Sequence, residues 1–272
     1  MSVAAAHPPH TPPKTTGTPV ISVKDVSVRF GGIVALGGVS FDIFEGEILG
    51  LIGPNGAGKT TLFNCLSRLY TPSSGDVAFR GATILDKRSH EIAGLGIGRT
   101  FQNVASFSNL SVRDNIRVGA HSASKSDPFS DLLGLPKVKA EERRIDATVQ
   151  ELIDWLELND VADLPVSGLP FGTQKRVEMA RAMATKPQLL LLDEPAGGLN
   201  HDEVEELGAL IRKVRDDFNV TVLLVEHHMA LVMSISDRVV VLNFGKKIAE
   251  GTPAQVQKNP EVIAAYLGGG DE

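Results

Sequence analysis

The run Gly53-Pro54-Asn55-Gly56-Ala57-Gly58-Lys59-Thr60 carries the groups that a polyphosphate needs, in the order it needs them. Glycines at 53, 56 and 58 let the backbone curl so that successive N–H groups point inward at an anion. Lys59, expected in a solvent-facing loop, reaches for β- and γ-phosphates, and the hydroxyl of Thr60 is a ligand for Mg²⁺. The apolar run Glu47–Ile52 leads into this segment and Thr61–Leu66 leads out of it as a helix. The positive end of that helix dipole faces the same anion. A buried strand before and a helix after distinguish a phosphate-binding loop from a chance glycine-rich turn. The expected ligand is a nucleoside triphosphate.

Two carboxylates and a histidine are placed to act on it. Asp193-Glu194 ends the run Leu189-Leu190-Leu191-Leu192, and open α/β sheets hold their ligands at the C-terminal ends of such strands. Asp193 is assigned to the Mg²⁺ that Thr60 also touches, and Glu194 to the attacking water as general base. The competing reading, a solvated acidic turn before Pro195, loses weight beside the phosphate loop. His227 follows the next apolar run, Val222–Val225, and emerges at the same sheet edge, where it can donate to the γ-phosphate. His228 beside it is expected at the surface. Gln102 ends a short strand-like run, where its amide touches Mg²⁺, orients the water, or is simply polar loop.

These groups need a scaffold of strands and helices. Ile21 and Val23, then Val26, Val28 and Phe30, give two short alternating stretches, and Val39, Phe41 and Ile43 a third. With Val77 and Phe79 they predict an antiparallel layer, punctuated by turns at Gly31-Gly32, Gly37-Gly38, Ser74-Gly75 and Arg80-Gly81. Residues of about 105–186 read as a mostly helical insertion, with an exposed loop and charged helix start over 121–145. An amphipathic helix over Ala147–Leu158 places Trp155 in its buried stripe. Beyond it, Asn200 with Glu203 predicts a capping box for a helix that buries Val204, Leu207, Ile211, Val214 and Phe218. Val220–Val225 is a buried strand, and Arg238–Leu242 with Lys247–Glu250 a hairpin about Asn243–Lys246.

The bulk composition sets limits. A chain of 272 residues with 42% hydrophobic and 22% charged content holds one large α/β domain or a core with a smaller subdomain. A net charge of −6 without a Lys/Arg run argues against nucleic acid as partner. Its single cysteine, Cys65, excludes an internal disulfide and fits a reducing compartment, as a small buried hydrophobe. No apolar stretch approaches the ~20 residues that span a bilayer. Residues 1–19, rich in proline and without an apolar centre, read as a disordered tail; His7 and His10 there are expected to be solvated. Ordered sequence is expected over 20–268, with 269–272 as a C-terminal tail.

Taken in order, these motifs resemble the nucleotide-binding subunit of an ATP-binding cassette transporter along nearly the whole ordered length. The resemblance implies a P-loop NTPase core of RecA-like α/β type with an antiparallel β-subdomain and a helical subdomain, working on ATP with Mg²⁺. It places Phe30 where the family stacks an aromatic ring on adenine, against the plainer reading of a core phenylalanine. It makes Gln102 the switch that senses nucleotide and touches the membrane subunit, and His227 the switch histidine. Leu169-Pro170-Phe171-Gly172-Thr173-Gln174 stands where the family has its Leu-Ser-Gly-Gly-Gln signature, and Gly197-Gly198-Leu199-Asn200 at the loop that crosses the dimer interface. Pro170 departs from the signature serine, and Asn200 from the usual aspartate. Arg99-Thr100-Phe101-Gln102-Asn103, Phe171, Gly198-Leu199-Asn200 and Ala264-Ala265-Tyr266-Leu267-Gly268 resemble the larger ATPase of branched-chain amino acid importers.

That resemblance implies a peripheral subunit on the cytoplasmic face of the membrane. Its partners would be transmembrane permease subunits, a second cassette ATPase and, indirectly, a substrate-binding protein. Because proline at the signature offers neither hydroxyl nor N–H, a heterodimer is favoured over a homodimer. Rival readings are a soluble cassette ATPase acting on DNA or ribosomes, a transporter ATPase for another cargo, and a subunit that binds ATP without turnover. The first would carry a coiled-coil insertion or a second cassette, which this sequence lacks; intact Lys59, Asp193, Glu194 and His227 argue against the last.

Overall fold

In the computed structural model, residues 17–100, 107–122 and 136–267 are described. Strands β1 (Ile21–Phe30), β2 (Ile33–Ile43), β3 (Ile48–Ile52), β4 (Ser74–Phe79), β5 (Ala82–Thr83), β6 (Ile97–Arg99), β7 (Leu189–Asp193), β8 (Thr221–Val225), β9 (Arg238–Asn243) and β10 (Lys246–Gly251) form two sheets. The helices are α1 (Lys59–Leu66), α2 (Val112–Ser122), α3 (Pro136–Trp155), α4 (Phe171–Met183), α5 (His201–Phe218), α6 (Met229–Ile235), α7 (Pro253–Val256) and α8 (Pro260–Leu267).

The larger sheet runs β10-β9-β3-β8-β7-β6, with β9, β3, β8, β7 and β6 parallel and β10 antiparallel at one edge. Its central strands are apolar at every position but Gly50 and the ends, because both faces are covered. Ile48, Ile52, Leu190, Leu192, Val222 and Leu224 pack with the helices on one face. Leu49, Leu51, Leu189, Leu191, Leu223 and Val225 pack on the other with α1 and the smaller antiparallel sheet, ordered β2-β1-β4-β5. One buried ion pair ties the two sheets: Arg238, at the start of β9, reaches the Glu47 carboxylate at 2.8 Å and the carbonyl of Asp42 on β2.

Several local expectations are corrected here. The two alternating stretches before Phe30 are one strand, β1, whose register slips between Val23 and Val26, where Asp25 takes a φ of 48°. The extra residue is a β-bulge, and it resets the inward phase of the strand. Ser74-Gly75 is therefore no turn but the start of β4 against that bulge; a Cβ on Gly75 would stand 2.4 Å from the Asp25 carbonyl oxygen. Gly37-Gly38 likewise lies inside β2, where pairing steps from Val28–Leu36 to Val26–Val39 and so admits one residue more.

Between Phe107 and Lys186 the described residues hold helices and turns and no strand. The helix expected over Ala147–Leu158 begins already at Pro136 and stops at Trp155, with Glu157 at a φ of 56° just beyond. Trp155 packs against the core as expected but is only half-buried, at the edge of the stripe. Its ring lies edge-on to Phe218 at 4.9 Å, carries the Lys213 ammonium 4.6 Å above it, and donates Nε1–H to Asp217 at 2.8 Å. The α3–α5 seam is thus closed by one aromatic residue with three different partners. Helix α5 starts as expected: Asn200 and Glu203 exchange hydrogen bonds of 3.1 and 2.8 Å in a capping box. The hairpin turns through Phe244-Gly245, both with positive φ (44° and 75°).

Candidate functional site

The chain leaves β3 into the glycine loop and re-enters regular structure at Lys59. Gly53 has a φ of 154°, and a Cβ there would stand 2.2 Å from the Leu242 carbonyl oxygen. Gly58, at a φ of 100°, caps α1 without offering a side-chain acceptor, and the first turn of α1 contains no acidic residue. The leading N–H groups of α1 have no partner within the helix, so this end is preset for an anion. The hairpin turn braces the loop: Gly245 donates to the Ala57 carbonyl at 3.0 Å and accepts from Gly37 at 2.9 Å.

Lys59 does not stand in a solvent-facing loop as expected. It is the first residue of α1 and only 6% exposed. Its ammonium donates to the carbonyls of Gly53 at 2.7 Å and Pro54 at 3.0 Å. Burial pulls its pKa down, and the Glu194 carboxylate opposes that shift.

Asp193 and Glu194 emerge where β7 ends, beside the loop. Asp193 is buried; its Oδ2 lies 3.4 Å from Arg99, and among the described residues its Oδ1 has no hydrogen-bond partner. Burial raises its pKa first, Arg99 lowers it, and the charges of Glu194 and Glu226 raise it further. A buried carboxylate oxygen without a donor is what a cation would satisfy, so this residue set fits Mg²⁺. Arg99, quoted in the sequence only as part of a motif, also donates to Asn64 at 3.0 Å and Ser67 at 2.7 Å on α1 and its edge. It locks the end of β6 to both the phosphate-loop helix and Asp193.

Glu194 is half-exposed and takes a φ of 46°. Its Oε2 stands 3.8 Å from Nδ1 of His227, which is exposed at the end of β8. His228, expected at the surface, is half-buried, and its Nδ1 has no partner among the described residues. Thus loop, Asp193, Glu194 and His227 come together at one edge of the large sheet. Gln102 lies outside the described residues.

A cavity of about 440 Å³ opens on the loop, lined by Asn55 to Thr61, Glu194, Ile33, Val34, Ala35, Phe244 and Gly245. Phe30, at 48% exposure, is not the core residue of the plainer reading; it sits at the end of β1 with its ring edge-on to Tyr70 at 5.3 Å. Phe244, which the sequence places only as a hairpin turn residue, is 86% exposed at the tip and lines the cavity. An aromatic residue at a turn position was the available signal. Glu226, to which the sequence assigns no role, is fully buried directly after the apolar run Val222–Val225 and next to His227, and that placement is the available clue.

The signature segment lies elsewhere. Pro170 is the N-cap of α4, with φ −53° and ψ 147°, and Gln174 ties back to Leu169 O at 2.9 Å. A Cβ on Gly198, at a φ of 84°, would stand 3.0 Å from the Phe171 ring. The Gly197–Asn200 turn and the start of α4 are therefore packed against each other.

Residues 36–197 match the family model described as ABC transporter. Residues 246–272 match the model described as branched-chain amino acid ATP-binding cassette transporter. The chain is 43% identical over 250 residues to the high-affinity branched-chain amino acid transport ATP-binding protein BraF of Pseudomonas aeruginosa, covering 92% of this chain and 98% of that one. It is 44% identical over 254 residues to the protein of the same description, LivG, of Escherichia coli K12, with the same coverage. The sulfate/thiosulfate import ATP-binding protein CysA of Pseudomonas syringae is 35% identical, and the match spans 91% of this chain and 72% of that one. Among solved structures, the ADP conformation of MJ1267, an ATP-binding cassette of an ABC transporter, superposes with a TM-score of 0.81 at 27% identity, covering 93% of this chain and all of that one.

Proposed function

This chain belongs to the ABC transporter family, and we propose that it is the ATP-hydrolysing subunit of an importer for branched-chain or other hydrophobic amino acids. The observation that carries the site is the convergence of the phosphate loop, Asp193, Glu194 and His227 at one sheet edge. The cargo rests on the relatives named for branched-chain amino acid transport, which are more similar to this chain than the sulfate protein is.

In this reading the N–H groups of Gly56, Gly58, Lys59, Thr60 and Thr61 and the ammonium of Lys59 hold the β- and γ-phosphates, with Gly53, Pro54, Asn55 and Ala57 shaping the curl. Thr60, Asp193 and Gln102 hold Mg²⁺, which when bound supplies positive charge against the phosphates. Glu194 accepts the proton of the attacking water, and His227 donates toward the γ-phosphate. Phe30 stacks on adenine. ATP binding closes a head-to-tail pair, so that each loop faces the other subunit's signature. Because Pro170 lacks the serine hydroxyl, the natural partner is a different cassette ATPase. The closed pair drives permease subunits through the face near Gln102, and a substrate-binding protein is reached only through them. No helix of the described residues is long and apolar enough to cross a membrane, in keeping with a peripheral position at its cytoplasmic face. Residues 20–268 act as one ATPase domain, with about 105–186 as its helical part.

The test is uptake of labelled leucine by cells lacking the chain. Complementation by the wild type restores uptake, and by Lys59→Met it does not. Leucine uptake that is normal without the chain would refute the cargo, and copurification with ribosomes or DNA in place of membrane proteins would refute the transporter.

A further inference from the structure

We infer that Glu226 is a positioning residue for hydrolysis, fastening the turn that carries Glu194 to the turn that carries His227. The inference rests on the reading of Glu194 as general base.

The two groups ride on separate turns, one after β7 and one after β8. Nothing covalent sets their separation, so a non-local contact must. Glu226 is the first residue past β8 and is fully buried. Its Oε1 accepts the N–H of Ala196 at 2.7 Å, across to the β7 turn. Its Oε2 accepts the N–H groups of His227 at 3.0 Å and His228 at 3.1 Å, in its own turn. One carboxylate thus gathers three backbone donors from both turns, and its two oxygens divide them one to each turn.

The backbone of Glu194 explains why such a fastening is needed. Glu194 sits in the left-handed region, at a φ of 46°, which costs free energy for any residue with a Cβ. Such a conformation persists only where its surroundings over-determine it. Here they do: the N–H of Glu194 donates to Val225 O at 2.8 Å, and two residues on Ala196 N–H donates to Glu226. Consecutive residues at the end of β8 therefore grip both sides of the strained residue. The same Oε2 lies 3.9 Å from Nδ1 of His227, close to the 3.8 Å between that atom and Glu194. The imidazole is held between two carboxylates, one reaching toward the cavity and one wholly structural in its contacts.

An amide at this position has one oxygen, so Glu226→Gln must set an NH₂ group against an N–H donor on one of the two turns. Glu226→Asp keeps both oxygens but is one methylene too short to hold both turns. The test is steady-state ATP hydrolysis by the full-length chain in the assembled transporter, with the partner's site silenced. Misplacement of a reacting group by about 1 Å costs up to about 10²-fold in rate. We expect kcat to fall about 10- to 100-fold in either variant, with KM for ATP within about twofold, since the phosphate loop is untouched. In a Glu194→Gln background the same changes are expected to have little further effect, because Glu226 acts through Glu194.

Unchanged kcat in the folded variants overturns the proposal. So does a multiplicative loss in the double variant, or a fall in kcat matched by a rise in KM and a lowered melting temperature, which marks a general structural role. If Glu194→Gln alone keeps wild-type turnover, the reading of Glu194 fails instead, and the two failures are told apart by that single variant.

Discussion

Replacing Lys59 by methionine separates the carbonyl clamp that its ammonium makes in the structure from the phosphate contact proposed for the same group. Methionine keeps most of the buried stem, so the change removes charge and donors with little loss of packing. The ammonium bridges Gly53 O and Pro54 O at 2.7 and 3.0 Å. Pro54 O also accepts from Ala57 N–H at 3.1 Å and keeps that bond, so the principal loss falls on Gly53 O. An unmet buried carbonyl costs about 1–3 kcal/mol, and the nucleotide-free variant should lose about that much in urea unfolding. In the proposed role the same ammonium exchanges these carbonyls for phosphate oxygens. Losing a charge-assisted contact of about 2 kcal/mol raises Kd about 30-fold. Calorimetry with a non-hydrolysable ATP analogue measures the second effect on chain that circular dichroism shows to be folded. A Kd within twofold of the wild type would refute the assignment of Lys59 to the phosphates. A full loss of affinity with wild-type stability would refute the clamp on Gly53 and keep the assignment.

Arg238→Met strips the partner from Glu47, whose carboxylate is buried, and breaking such a pair costs about 3–5 kcal/mol. Burial already raises the pKa of Glu47 and Arg238 holds it back, so the variant's deficit is largest at high pH and shrinks as Glu47 takes up a proton on acidification; equal deficits in urea melts at pH 8 and pH 5 would contradict this. Pro170 holds an extended N-cap conformation that serine also adopts, so Pro170→Ser should fold and supply a hydroxyl to the opposing site. With Glu194→Gln silencing this chain's own site, turnover at the partner's nucleotide should rise about 3–10-fold, for one recovered hydrogen bond; an indifferent rate would sink the heterodimer argument. The thiol of Cys65 is buried and its pKa is pushed up to about 11, so iodoacetamide at pH 8 should modify the chain only as it unfolds, and alkylation of the native chain within seconds would refute that burial.

What the sequence made legible was whatever is decided within a few residues. The strand–loop–helix context of Lys59, the Asn200–Glu203 capping box and the hairpin through Phe244-Gly245 each follow from contiguous residue types, and each was found. Errors arose where the deciding contact is distant. The bulge at Asp25 is fixed by Gly75 on another strand, so two alternating stretches looked like two strands and a strand start looked like a turn. Lys59 reads as exposed from its loop context alone, since the carbonyls of Gly53 and Pro54 that hold its ammonium are set by the curl of the backbone. Glu226 was overlooked since its meaning lies in the N–H of Ala196, thirty residues away in sequence. Arg99 escaped for the same reason: its partners Asn64, Ser67 and Asp193 come from two other elements. The chain thus announces its chemistry locally and hides the parts that hold it in place.

The α3–α5 seam has a consequence for observation. Trp155 is the sole tryptophan of the chain, so its tryptophan fluorescence, excited at wavelengths that tyrosine does not absorb, originates at that seam. The indole is half-buried against Phe218, under a lysine and hydrogen-bonded to a carboxylate. Sliding α3 along α5 would break these contacts together and expose the ring to water, shifting emission to the red. The molecule therefore carries an unlabelled optical gauge of how its helical part sits on its core.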